Sequence, residues 1–175
     1  MKVYRQGEHD ALCGIYAIIN AFSRCGIKQP PKKIYDTAVR SLIASNMTCE
    51  LINGMGLETE ERMLQDCLAL YARALSVKRP FHGATLAKTE DEFWLRLKAC
   101  FKSEGAQVVV QGIRKPSDHW VALTLGQRGK VSVFDSDPEL CRQWTLKAGH
   151  TIKALSARED EWKIEQAETL VIYRR

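Results

Sequence analysis

Ala11-Leu12-Cys13-Gly14-Ile15-Tyr16-Ala17-Ile18-Ile19-Asn20-Ala21-Phe22 is apolar on nearly every face of a helical wheel, and Asn20 is its first strongly polar residue. A helix that is hydrophobic all round must be covered on all sides, so this segment is expected to run through the middle of a domain. The first half of the chain around it reads as helical. Gly26 and then Pro30-Pro31 end the buried helix and start a second over roughly 32–45, with Pro31 suited to a first turn. A polar loop, Asn53-Gly54-Met55-Gly56, follows. Residues 58–75 read as a third helix, with Leu64, Cys67, Leu68, Tyr71 and Leu75 as its stripe and acids crowding its first turn. Thr89-Glu90-Asp91-Glu92 has the pattern of a capping box for a fourth helix that carries Phe93, Leu97 and Phe101 and ends by Gly105.

After Gly105 the hydrophobic period shortens. Residues 106–113 hold Val108-Val109-Val110. The stretches 119–125 and 130–135 flank Gly126-Gln127-Arg128-Gly129, the pattern of an antiparallel hairpin. Asp137-Pro138 suits a short helical turn, and 151–155 and 168–173 read as later strands. There is no internal repeat, low-complexity tract or linker. The expectation is one α+β domain over 1–175, with N-terminal helices and a central buried helix packed on a C-terminal antiparallel sheet.

Composition narrows the function classes. The chain has 175 residues, 45% apolar and 27% charged, which is globular in character and large enough to bury a core without staples. Met1-Lys2-Val3-Tyr4-Arg5-Gln6 lacks the apolar centre of a signal peptide, and no apolar run approaches the ~20 residues of a membrane span. A soluble cytoplasmic protein is expected, or an effector delivered without a classical signal. The six cysteines include no closely spaced pair of the zinc-site kind, so they are read as reduced thiols, with no metal and no cofactor. The net charge of +5 is scattered rather than gathered into a basic stripe, which argues for a solvated surface over a nucleic-acid partner; no membrane partner is expected either.

Chemistry enters with the order of three residues. Cys13 opens the buried helix, His119 opens one strand of the hairpin, and Asp135 ends the other. A free thiol, with a pKa of roughly 8.5, becomes a nucleophile when a helix N-terminus and a nearby imidazolium favour its anion. The helix head is available at Cys13. His119 supplies the imidazole if its strand lies against that head, and Asp135 then accepts from the far ring nitrogen and fixes tautomer and orientation. Asp137, two residues on, competes for the same role. Gln6 offers a side-chain amide to an oxyanion, beside the backbone N–H of Cys13. Gly14 is read as leaving room for a substrate. Taken singly, each has a plain structural reading: a packed core thiol, a strand histidine, a turn acid, a polar residue. Together, in this order, they read as a site for acyl chemistry. His9, His82 and His150 lack such a setting.

Three blocks carry a family likeness: Gln6 to Ala17, Asp118-His119-Trp120-Val121-Ala122-Leu123, and Val133-Phe134-Asp135-Ser136-Asp137-Pro138. They resemble the papain-like cysteine peptidase superfamily, closest in pattern to the branch with the bacterial double-glycine leader peptidases. The resemblance does not extend over 28–105. It implies a papain-like fold with Cys13 as nucleophile, His119 as base, Asp135 as orienting acid and Gln6 as oxyanion donor. It also implies a thiol hydrolase acting on peptide or isopeptide bonds of a protein or peptide substrate. The same four residues would serve a protein glutamine deamidase or an acyl transferase. A catalytically silent binding module is the reading from another class.

Overall fold

The all-apolar segment forms helix α1 (Cys13–Arg24), in which Ile15, Ile18, Ala21 and Phe22 are completely buried. Each such large aliphatic or aromatic side chain contributes about 1.5–3 kcal/mol of burial. Asn20 is equally buried, and its amide is satisfied by the backbone of the incoming chain. Its Oδ1 accepts from the Tyr4 N–H at 2.9 Å and its Nδ2 donates to the Tyr4 carbonyl at 3.2 Å. Gly26, at φ 75°, takes the left-handed conformation that closes the helix. The computed structural model describes residues 3–4, 12–115, 118–126, 130–136, 143–147, 152–153 and 162–175.

The helices that follow are α2 (Pro31–Ala44), α3 (Glu50–Asn53), α4 (Leu57–Tyr71) and α5 (Glu90–Ser103). The strands are β1 (Leu75–Lys78), β2 (Ala106–Lys115), β3 (His119–Leu125), β4 (Lys130–Phe134), β5 (Gln143–Lys147), β6 (Ile152–Lys153) and β7 (Trp162–Arg174). They form one sheet in the order β1-β7-β2-β3-β4-β5. Every pair along that path is antiparallel, and β6 lies parallel beside β7. The α+β class and the 119–125 hairpin strand are as the sequence leads one to expect.

The sheet is covered on both faces. Val108, Val110, Trp120, Ala122, Phe134, Leu170 and Ile172 pack with α1, α2 and α4. Val109, Val121, Leu123, Val133, Ile164 and Val171 pack with Phe81 and the α5 residues Phe93, Trp94 and Leu97 on the other face. The unbroken Val108-Val109-Val110 is what a strand buried on both sides requires. α5, the helix expected from the Thr89 capping box, therefore does not join the other helices.

Two boundaries differ from the sequence reading. The third helix stops at Tyr71, because Ala72 leaves helical geometry at φ −149°, ψ 53°. Leu75, assigned above to that helix's stripe, instead pairs with Arg174 in β1. The last strand runs over 162–174 rather than 168–173 because a bulge interrupts its pattern. Gln111 faces Thr169 and Ile113 faces Ile164, so Gly112 alone stands opposite residues 165–168. Gln111, fully buried, ties this bulge down. Its Nε2 donates to the carbonyls of Gly112, Glu165 and Glu168, and its Oε1 accepts from Thr169 Oγ1 at 2.9 Å. Bulges re-aim side chains, and here Glu168 is laid over Gly112. The Asp137-Pro138 turn lies outside the described residues, as do the ends of the 151–155 strand. No helix among the described residues is long and apolar enough to cross a membrane.

Candidate active site

α1 packs across β3, and this contact carries the head of the helix to the start of the strand. Cys13 is the first helical residue and only 7% exposed. No acid lies in its first turn, and Leu12 supplies no capping side chain, so nothing in α1 itself offsets the positive helix end. His119 is bonded to both Asp135 and Cys13. Its Nε2 lies 2.7 Å from Asp135 Oδ1, and it hydrogen-bonds the Cys13 thiol. With Nε2 directed at Asp135, Nδ1 is the nitrogen left for sulfur. The ladder pairs Ala122 with Phe134, which puts Asp135 one residue past β4 and diagonal to His119 at the open end of the hairpin.

The electrostatics follow from burial and these two bonds. Burial, the largest influence on His119, pushes its titration down. The hydrogen bonds that the ring donates to Asp135 and Cys13, with their negative charges, outweigh it and carry the imidazolium up to about 10. Asp135 is completely buried at the bottom of the network. Burial alone pushes the Cys25 thiol up to about 12, and burial with neighbouring acids does the same for Cys67. The thiol at Cys13 is distinguished from these by its imidazole partner.

The site opens into a cleft of about 220 Å³. One wall is Asn53, Gly54, Met55 and Gly56; the other is Ile113, Arg114, Asp118, His119, Trp120 and Glu168, with Cys13 at the base. Trp120 Nε1 donates to the Met55 carbonyl at 2.8 Å and joins the two walls. Arg114 pairs with Glu168, with Asp118 at 3.3 Å and with Glu165 at 3.9 Å. A larger groove of about 620 Å³ between α4 and β1 is lined, among the described residues, by no cysteine, histidine or carboxylate side chain.

No protein-family model matches this chain, and no curated protein matches it. The functional reading therefore stands on the residues themselves.

Cys13, His119 and Asp135 are together. Gln6 and Asp137 lie outside the described residues, so the oxyanion donor and the competing acid are not placed. Gly14 is corrected: the room its missing side chain leaves is taken from inside the protein. A Cβ there would overlap Glu60 Oε2 and lie 3.0 Å from Met55 Sδ. His82 caps a short 3-10 turn, where its Nδ1 lies 2.8 Å from the Arg79 carbonyl. Among the described residues no group of three or more His, Cys, Asp or Glu is placed to hold a metal ion. The sequence reading passed over Glu60, Glu168 and Trp120. Glu60 had a signal: it lies four residues before Leu64 and seven before Cys67, on the apolar stripe of α4.

Proposed function

We propose that this chain is a papain-like thiol hydrolase that cleaves peptide or isopeptide bonds of a protein or peptide substrate. One observation carries this reading. A single imidazole bridges a buried carboxylate and a thiol at a helix head, at the base of an open cleft. The likeness of the Cys, His and Asp blocks to the papain-like superfamily supports it.

The chemistry runs as follows. The Cys13 thiolate attacks the substrate carbonyl carbon, and the carbonyl π electrons move onto oxygen. The N–H of Cys13, at the head of α1, faces the charge that develops there. His119, protonated on Nδ1, gives that proton to the leaving amine as the C–N bond breaks, and an acyl-thioester remains. The neutral imidazole next takes a proton from water, hydroxide adds to the thioester, and the thiolate departs. Asp135 keeps the ring turned toward sulfur throughout and stabilises its cationic form.

The test has two arms. At about pH 6, where ordinary thiols are protonated, Cys13 should be alkylated far faster than Cys25 or Cys67. Equal rates would favour a silent binding module. In parallel, wild type and Cys13→Ala are incubated with a peptide and protein library and read by mass spectrometry. Chain cleavage present only in wild type is the expected outcome. A gain of roughly one dalton, or an amine adduct, would reassign the same acyl-enzyme to deamidation or transfer.

A further inference from the structure

Glu60 is the anomaly beside this site. It is completely buried on α4, and neither carboxyl oxygen has a hydrogen-bond partner among the described residues. Such a group costs on the order of 1–3 kcal/mol compared with a satisfied one. It occupies a stripe position of a helix whose neighbours on that stripe are Leu64 and Cys67, where an apolar residue would pack without that cost. Its carboxyl fills the space beside Gly14, the residue after the nucleophile, within the first turn of α1. That turn has no acid and no capping side chain of its own.

We propose that Glu60 is a positioning residue of the thiol site: a carboxyl kept neutral against the first turn of α1, which leaves the positive helix end to the Cys13 sulfur and withdraws it on ionising. This rests on the thiol-hydrolase reading above. A helix N-terminus carries roughly half an elementary charge, and it cannot serve two anions equally. Among the described residues, the titratable and charged groups coupled to Glu60 are Glu168 on β7, with its Arg114 partner on β2, and Cys67 on α4; Cys13, paired with His119, is the residue before the Gly14 that the Glu60 carboxyl touches. Burial first, and then the charge of Glu168, push Glu60 up to about 8, so it is neutral at physiological pH. Once ionised, it sets a negative charge beside the thiolate. The proton then passes from Nδ1 of the His119 imidazolium back to sulfur: one N–H bond breaks, one S–H bond forms, and the pair keeps its net charge.

The signature is a dip in thiol reactivity that no merely structural role for Glu60 would produce. Alkylation of Cys13 by iodoacetamide is measured against pH in wild type and in Glu60→Gln. Wild type should lose about tenfold in rate between about pH 8 and about pH 10, whereas Glu60→Gln should stay flat across that range. Identical profiles, with Cys13 still far more reactive than Cys25, would overturn the role of Glu60 and leave the hydrolase reading intact. A Cys13 no faster than Cys25 at any pH would remove both. Should Glu60→Gln fail to fold, the coupling is read from its other side, since linkage is reciprocal. In Cys13→Ser, the carboxyl carbon resonance of Glu60 should titrate below its wild-type midpoint of about 8. An unmoved midpoint overturns the proposal.

Discussion

Asp135 shows how much a single buried oxygen sets in this site. Its Oδ1 both turns the His119 ring and stabilises its charge, against a burial that alone would leave the imidazole neutral. Asp135→Asn keeps the shape and removes the charge. It should lower kcat by about 10⁴-fold, on the scale seen when a triad acid is neutralised. The His119 titration, followed by imidazole 15N resonances, should move down from about 10. A midpoint that stays in place would mean that Asp135 does not hold the imidazolium. That Cys13, His119 and Asp135 could meet was legible in the sequence because each sits at a landmark of the chain: a helix head, a strand start, a strand end. Glu60 was read as one more charge in an acidic first turn. Its periodicity placed it on the apolar stripe, but the neighbouring Glu58 and Glu61 masked the exception.

At the scale of elements, the β7 bulge decides what one wall of the cleft contains. Without it Glu168 would follow the regular alternation of the strand; with it the side chain crosses Gly112 and reaches Arg114. Gly112→Ala tests this directly. The added methyl would overlap Glu168 Oε2 and lie 2.7 Å from Glu168 Cβ, so the acid must leave its place. A loss of about 1–3 kcal/mol is expected in thermal or denaturant melts, with KM affected more than kcat. An unchanged melting curve would show that the bulge yields freely. Elements of this kind are hard to read from sequence. A bulge breaks the two-residue alternation that marks a strand, so 162–167 did not read as part of β7. β1 escaped notice for a different reason. Its four residues follow a helix closely, and Leu75 happens to fall in phase with the stripe of α4. The long, strongly patterned elements α1, α2, α5 and β3 were visible because their periodicity and end signals agree.

For the whole molecule, the sheet with helices on both faces makes α1 at once the centre of one core and the support of the Cys13 sulfur. Stability and chemistry are therefore joined through pH. Glu60 has a folded pKa of about 8, raised from an ordinary value of 4.5, so its contribution is fully present below about pH 4.5 and is lost as pH rises through about 8. Glu60→Gln lacks this titration. The stability of the variant relative to wild type should therefore grow between pH 4.5 and 8, by roughly 3 kcal/mol at pH 7, in urea melts run at several pH values. Parallel curves at all pH values would show that Glu60 is not held neutral. The order of strands has a further consequence. β7 sits between β1 and β2, which are made much earlier. During synthesis those two strands must wait, each with an open edge, until residues 162–174 have left the ribosome. A nascent chain cut short within that stretch would expose two sticky borders and no finished thiol site, so quality control has a clear mark by which to recognise it.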